Sequence, residues 1–133
     1  MTHPRPFRFG VMAAKAGSSN EWTETARKAE DLGYSALLMP DHFGDQLAPI
    51  AALSTAAAVT TYLRVGTLVF ANDFRHPAVR AKEGATLDLL SDVRLEGGCG
   101  GTNRSDGLGY GPLPKTFSLM ATPASSASKT AVV

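Results

Sequence analysis

The chain has 133 residues, 44% of them hydrophobic and 19% charged, and its 13 Lys and Arg against 12 Asp and Glu leave a formal net charge of +1. That is one domain's worth of sequence, with enough apolar content to bury a core. Balanced charge without a basic stripe excludes electrostatic recognition of nucleic acid, a missing run of roughly 18 apolar residues excludes a membrane span, and a lone cysteine, Cys99, excludes an internal disulfide framework.

The N-terminus "MTHPRPFRFG" carries prolines where a signal peptide needs an apolar core, so the expectation is a soluble cytoplasmic protein. Phe7 to Met12 is short and β-prone. After the break from Gly17 to Asn20 a helix follows, with Ser18 and Glu21 spaced as a capping box and Asn20 as a competing cap. Trp22, Ala26, Ala29 and Leu32 share one face of that helix, and Gly33 is placed to stop it. "SALLMP" has no polar alternation from Ala36 to Met39, the mark of a strand covered on both faces, as in a parallel sheet flanked by helices.

Pro49 opens a second helix predicted to run to about Thr61. Leu63 to Ala71 reads as a third strand. Pro77 opens a third helix with Val79, Ala81, Leu87 and Leu90 among its apolar positions. Val93 to Glu96 begins a fourth strand that dissolves into "GGCGG". Met12, Met39, Phe7, Phe9 and Phe70 read as core.

Strands therefore start near residues 7, 35, 63 and 93, close to the spacing of a βα unit. An open doubly wound sheet and a (β/α)8 barrel both use such units, and both place binding residues on the loops after the strands. "PDHF", "NDFRH" and "GGCGGTN" occupy those places after strands two, three and four, and should open on one rim.

The stretches "RFGV", "ARKAEDLGYSALLMPDHF", "LRVGTLVFANDFRHPAVRAKEGATLDLLS" and "RLEGGCGG" resemble the bacterial luciferase-like flavin monooxygenase superfamily, closest to its coenzyme F420 branch, over about residues 7 to 101. The resemblance implies a (β/α)8 barrel of which this chain carries the N-terminal half, to about strand four. It implies coenzyme F420 as cofactor, with FMN as the alternative, at the C-terminal mouth of the barrel. Asp41 and His42 match the family's acid–histidine pair, the histidine as acid/base partner of hydride transfer and Asp41 as a polar contact. Leu68 to Ala71, with Val69 between them, match the segment behind the ring, where a non-proline cis peptide is expected at Leu68–Val69. Gly100, Gly101 and Thr102 would allow close approach to the cofactor. Beyond Gly101 the agreement fails: "NRSD" echoes the family, but no aromatic stands beside Thr102 and Asp106 only approximates the usual acid.

The domain expectation is a partial barrel over 1–119 and a low-complexity, disordered tail over 120–133. A half barrel has open sheet edges and an inner face without its opposing layer. Each exposed large apolar side chain forfeits about 1.5–3 kcal/mol against a whole-domain margin of about 5–15 kcal/mol. The monomer is therefore expected to be unstable, molten or aggregation-prone unless two copies associate or the sheet rearranges into an open doubly wound form.

Three functions are carried forward. The first is an oxidoreductase passing hydride between F420 or FMN and a small organic substrate. The second is a non-catalytic truncated or frameshifted remnant that at most self-associates. The third is a small open-sheet flavin- or nucleotide-binding module. A metal site gathering Asp41, His42, Asp45 and His76 has no His-x-His or Cys pair behind it, and none is expected. Cys99 reads as a small buried hydrophobe rather than a nucleophile. "GGCGGTN" places Asn103 at the sixth position of a G-x-G-x-x-G pattern and is not a dinucleotide fingerprint.

Overall fold

A computed structural model describes residues 7–100 and 130–132. Strands β1 (Arg8–Met12), β2 (Ala36–Met39), β3 (Arg64–Ala71) and β4 (Leu95–Gly100) alternate with helices α1 (Ser19–Asp31), α2 (Pro49–Ala58) and α3 (Pro77–Leu90). The four strands pair in parallel, in sequence order, and a short fifth strand, β5 (Thr130–Val132), adds parallel to the free edge of β1. No helix among the described residues is long and apolar enough to cross a membrane.

All three helices cover one face. Leu37, Met39 and Val65 on the strands join Trp22, Ala26, Ala29, Leu53, Ala56 and Leu87 from the helices in a single core. The ladder places Gly10 opposite Ala36, Leu38 opposite Gly66 and Gly66 opposite Glu96, so the residues of the other parity share the second face. A doubly wound sheet has helices on both faces; here the described helices all lie on one face and the sheet curls around the other, as a barrel segment does. Its curvature shows in one ion pair. Arg8 on β1 and Glu96 on β4 are three strand steps apart, about 14 Å along a flat sheet. Even so, Arg8 Nη2 reaches Glu96 Oε1 at 2.7 Å, and Arg64 Nε meets the same oxygen at 2.6 Å.

Local signals explain most boundaries. The Ser18 hydroxyl accepts from the Glu21 amide at 3.2 Å, and the Glu21 carboxylate reaches back to accept from the Gly17 amide at 2.7 Å, so Ser18 rather than Asn20 caps α1. Gly33 takes the left-handed φ of +81° that ends the helix. Pro49 sits in the first turn of α2. Helix α2 stops at Ala58 rather than Thr61, because the amides of Thr61, Tyr62 and Leu63 turn instead to the Glu30 carboxylate, at 2.6–3.0 Å.

Other expectations change. The glycines after Glu96 continue as strand, because pairing with β3 outweighs their weak β-propensity. Phe7, Phe9 and Met12 are not core: they are 73%, 50% and 41% exposed, since no described helix packs over Phe7 and Phe9 on the side of β1 away from α1, while Met12, opposite Leu38, lies on the other face. Leu32 and Leu90 are exposed too. Helix α3 turns Arg80, Gly84 and Leu87 inward, which also leaves Val79 outside. Strand β5 falls in the stretch for which the sequence shows no periodicity; three residues are too few to display any.

Beneath the sheet, the α2–β3 loop is held from two sides. Glu30, at the end of α1, takes its three amides. Arg94, before β4, donates to the carbonyls of Ala57 and Leu63 at 2.7 and 2.9 Å and to the Thr60 hydroxyl at 3.0 Å. Burial pushes the Glu30 carboxyl up, but the amides of Tyr62, Leu63 and Thr61, with the charge of Arg94, outweigh it and hold the group below the usual carboxylate range. A lowered folded-state value means that this contribution to stability is complete above the unfolded pKa of about 4.3 and is lost as pH falls through the folded one.

Glu30→Gln should therefore cost about 1–3 kcal/mol at pH 7, with the gap to the parent narrowing as pH falls below about 4; urea denaturation across a pH series measures it. A Cβ at Gly66 would lie 1.7 Å from the Glu96 carbonyl oxygen. Gly66→Ala should force β4 away from β3 at a cost of about 3 kcal/mol, seen as a lower denaturation midpoint and faster amide exchange in β4.

Candidate active site

Parallel strands deliver their following loops to one end of the sheet, and the described loops are stitched together there. The Leu47 amide donates to the Ala14 carbonyl at 2.9 Å, joining the β2–α2 loop to the β1–α1 loop. Lys15 and Asp45 pair across the same two loops at 2.8 Å, and the Lys15 hydrogen bond and charge hold the Asp45 carboxyl below its ordinary range. Gln46 donates its side-chain amide to the Pro40 carbonyl at 2.9 Å, folding the loop back on the strand it leaves.

On the other side the β2–α2 loop meets the loop after β3. Asp41, the second residue past β2, is 5% exposed; its Oδ2 accepts from the Ala71 amide at 3.1 Å and from Arg75 Nη1 at 2.9 Å. Arg75 also approaches Glu83 at 3.5 Å and stands over the Phe70 ring, 5.9 Å from its centroid. One buried carboxylate thus ties the end of β2 to the last residue of β3 and to the turn at Asn72–Phe74 beyond it. Phe43 and Phe74 close the junction with ring centroids 4.3 Å apart.

His42, next to Asp41, is exposed and lines a cleft of about 210 Å³ together with Asp41, Phe43, Gln46, Phe74 and Arg75. A cleft of that size is smaller than the roughly 300 Å³ at which pockets begin to enclose drug-sized ligands. It can hold part of a molecule.

The peptide between Leu68 and Val69 is cis, at the position that the resemblance marks. It sits where the β3–β4 register shifts, between Thr67 and Phe70. Leu68 is half-exposed two residues past Gly66, and Ala71 is buried with its amide on Asp41. Gly100 ends β4 opposite Ala71, so its backbone borders the same end of the sheet. Gly101 and Thr102 lie outside the described residues, as do Asn103 and Asp106.

Three of the four donors considered for a metal are engaged by named partners. Asp41 is taken by Ala71 and Arg75, and Asp45 by Lys15. His76 caps α3, its Nδ1 accepting from the Ala78 amide at 3.2 Å. Arg75 is the residue that sequence reasoning undervalued. Its partner is 34 positions away, and no local pattern announces a pair of that separation. Glu30 did leave a signal: it lies one turn beyond Ala26, at the margin of the apolar stripe of α1.

The profile of the luciferase-like monooxygenase family matches residues 5–117, and the chain belongs to that family. No curated protein sequence matches it. Among solved structures, the coenzyme F420-dependent tetrahydromethanopterin reductase of Methanopyrus kandleri superimposes with a TM-score of 0.70 at 24% identity, over 77% of this chain and 29% of its own. A monooxygenase of Streptomyces bottropensis gives 0.60 at 27% identity, over 70% and 32%. The oxygenating constituent of 3,6-diketocamphane monooxygenase from Pseudomonas putida, in complex with FMN, gives 0.63 at 17% identity, over 75% and 31%. The chain thus spans about a third of the length of these relatives, as the N-terminal half of a barrel with loops would.

Removing Arg75 strands a buried carboxylate. Arg75→Gln should cost about 2–3 kcal/mol, less than for a fully buried pair because Arg75 is partly solvated. In a double-mutant cycle with Asp41→Asn the coupling should reach about 1–3 kcal/mol, read from chemical denaturation of the four proteins.

Proposed function

We propose that the chain carries the cofactor-facing part of a luciferase-like oxidoreductase that passes hydride between a deazaflavin, coenzyme F420, or FMN and a small organic substrate. The observation carrying this reading is the hydrogen bond from the Ala71 amide to Asp41, 3.1 Å long, which makes neighbours of the Asp41–His42 pair and the Leu68–Ala71 segment. The residues suit a flat ring. Half-exposed Leu68 offers apolar surface, and Ala71, three residues on, is tied through its amide to the fixed carboxylate of Asp41.

When bound, the deazaflavin or flavin ring supplies the hydride chemistry. The chain's own part is proton handling and orientation. His42, exposed at the cleft, exchanges a proton with the substrate. Asp41, held by two donors, keeps a fixed acceptor beside it. Leu68, Val69 and Ala71 back the ring, and Gly100 brings only backbone to the same end of the sheet. The relatives' cofactors differ, F420 in one and FMN in another, and the reading keeps both.

A second reading has its own observation: the chain spans only about a third of those relatives, so a non-catalytic remnant that at most self-associates is the alternative. Equilibrium dialysis against oxidised and reduced F420 and against FMN separates the two. The enzyme reading expects saturable binding of one of them, weakened about tenfold by His42→Ala or Asp41→Asn, some 1.4 kcal/mol. Retention of none of them supports the alternative.

A further inference from the structure

We propose that Thr130–Val132 is a built-in edge cap, which occupies the flank of β1 and so keeps two copies of the chain from closing a ring of eight strands. The two flanks of the four-strand run are complementary. Every strand is parallel to the next, so the outer edge of β4 on one copy presents what the outer edge of β1 on another can pair with. The run is also already curled, since Arg8 on β1 and Glu96 on β4 meet at 2.7 Å. Two such arcs, related by a twofold axis along the centre, supply the eight strands that close a barrel without edges.

Among the described residues, one strand stands in the way. β5 lies parallel against β1, with Thr130 opposite Arg8, Ala131 opposite Phe9 and Val132 opposite Gly10. A complete (β/α)8 barrel seats its last strand at that flank. Three residues satisfy part of the edge, and the same backbone groups of β1 cannot pair with β5 and with a second copy's β4 at once. The cap therefore acts by direct competition. Because ring closure needs both seams, blocking one is enough.

Two measurements on the 133-residue chain test this. In a Cys99→Ser background, Phe9→Cys with Ala131→Cys places thiols at paired positions, whose Cα separation of about 5 Å suits a disulfide. Mild oxidation should give an intramolecular bond in a monomeric band; thiols that stay free, or bridges only between chains, overturn the cap. Thr130→Pro with Ala131→Pro removes the ladder donors of β5 and should convert a monomer into a discrete two-chain species by light scattering, while Thr130→Ser should leave the mass unchanged. A parent that is already a dimer, a proline variant of unchanged mass, or one that only forms polydisperse aggregate overturns the proposal.

Discussion

A parallel ladder imposes one constraint from which the rest follows: each strand must be entered from the same end, so each connection crosses back over the sheet. In this chain those crossings are α1, α2 and α3, all on one face. What the helices cover becomes core, and what they leave becomes a concave surface. The segments leaving the strands gather at one end, which is why Asp41 can accept a hydrogen bond from Ala71, 30 residues away in the sequence. Neither the cleft nor the family's cofactor chemistry could be assembled without that return path.

Within this frame, polar groups do the fine positioning at both ends of the sheet. At the upper end, Asp41 orders two loops by taking one backbone donor and one guanidinium. At the lower end, Glu30 and Arg94 take the amides and carbonyls of a loop that no ladder satisfies. Buried backbone groups have to be paired somewhere, and here side chains from neighbouring units answer for them. The apolar core stays small and rich in alanine, so these polar contacts carry more of the definition than they would in a larger domain.

The sequence made the periodic features legible. The all-apolar run at Leu37, the Ser18 cap, the proline starts of α2 and α3 and the glycine stop at Gly33 each rest on a neighbour within four positions. Matching segments also pointed to the cis bond at Leu68–Val69. What stayed hidden depends on distance or on geometry. The link between Arg75 and Asp41 spans 34 residues. The outward turn of Phe9 depends on which helices flank β1, and the persistence of β4 through its glycines depends on its partner strand. Hydrophobicity marked Val79 and Leu90 as inward, whereas α3 turns Arg80, Gly84 and Leu87 to the sheet, a rotation set by packing rather than by its own apolar pattern.

The loop beneath the sheet has a consequence for how the molecule comes apart. Its two clamps belong to the first and fourth strand-and-helix units, while the loop itself joins the second to the third. Pulling any one of them loose exposes polar groups in the others. Fraying from either terminus should therefore stall at this point, and residues 30 to 94 should lose protection as a single cooperative block.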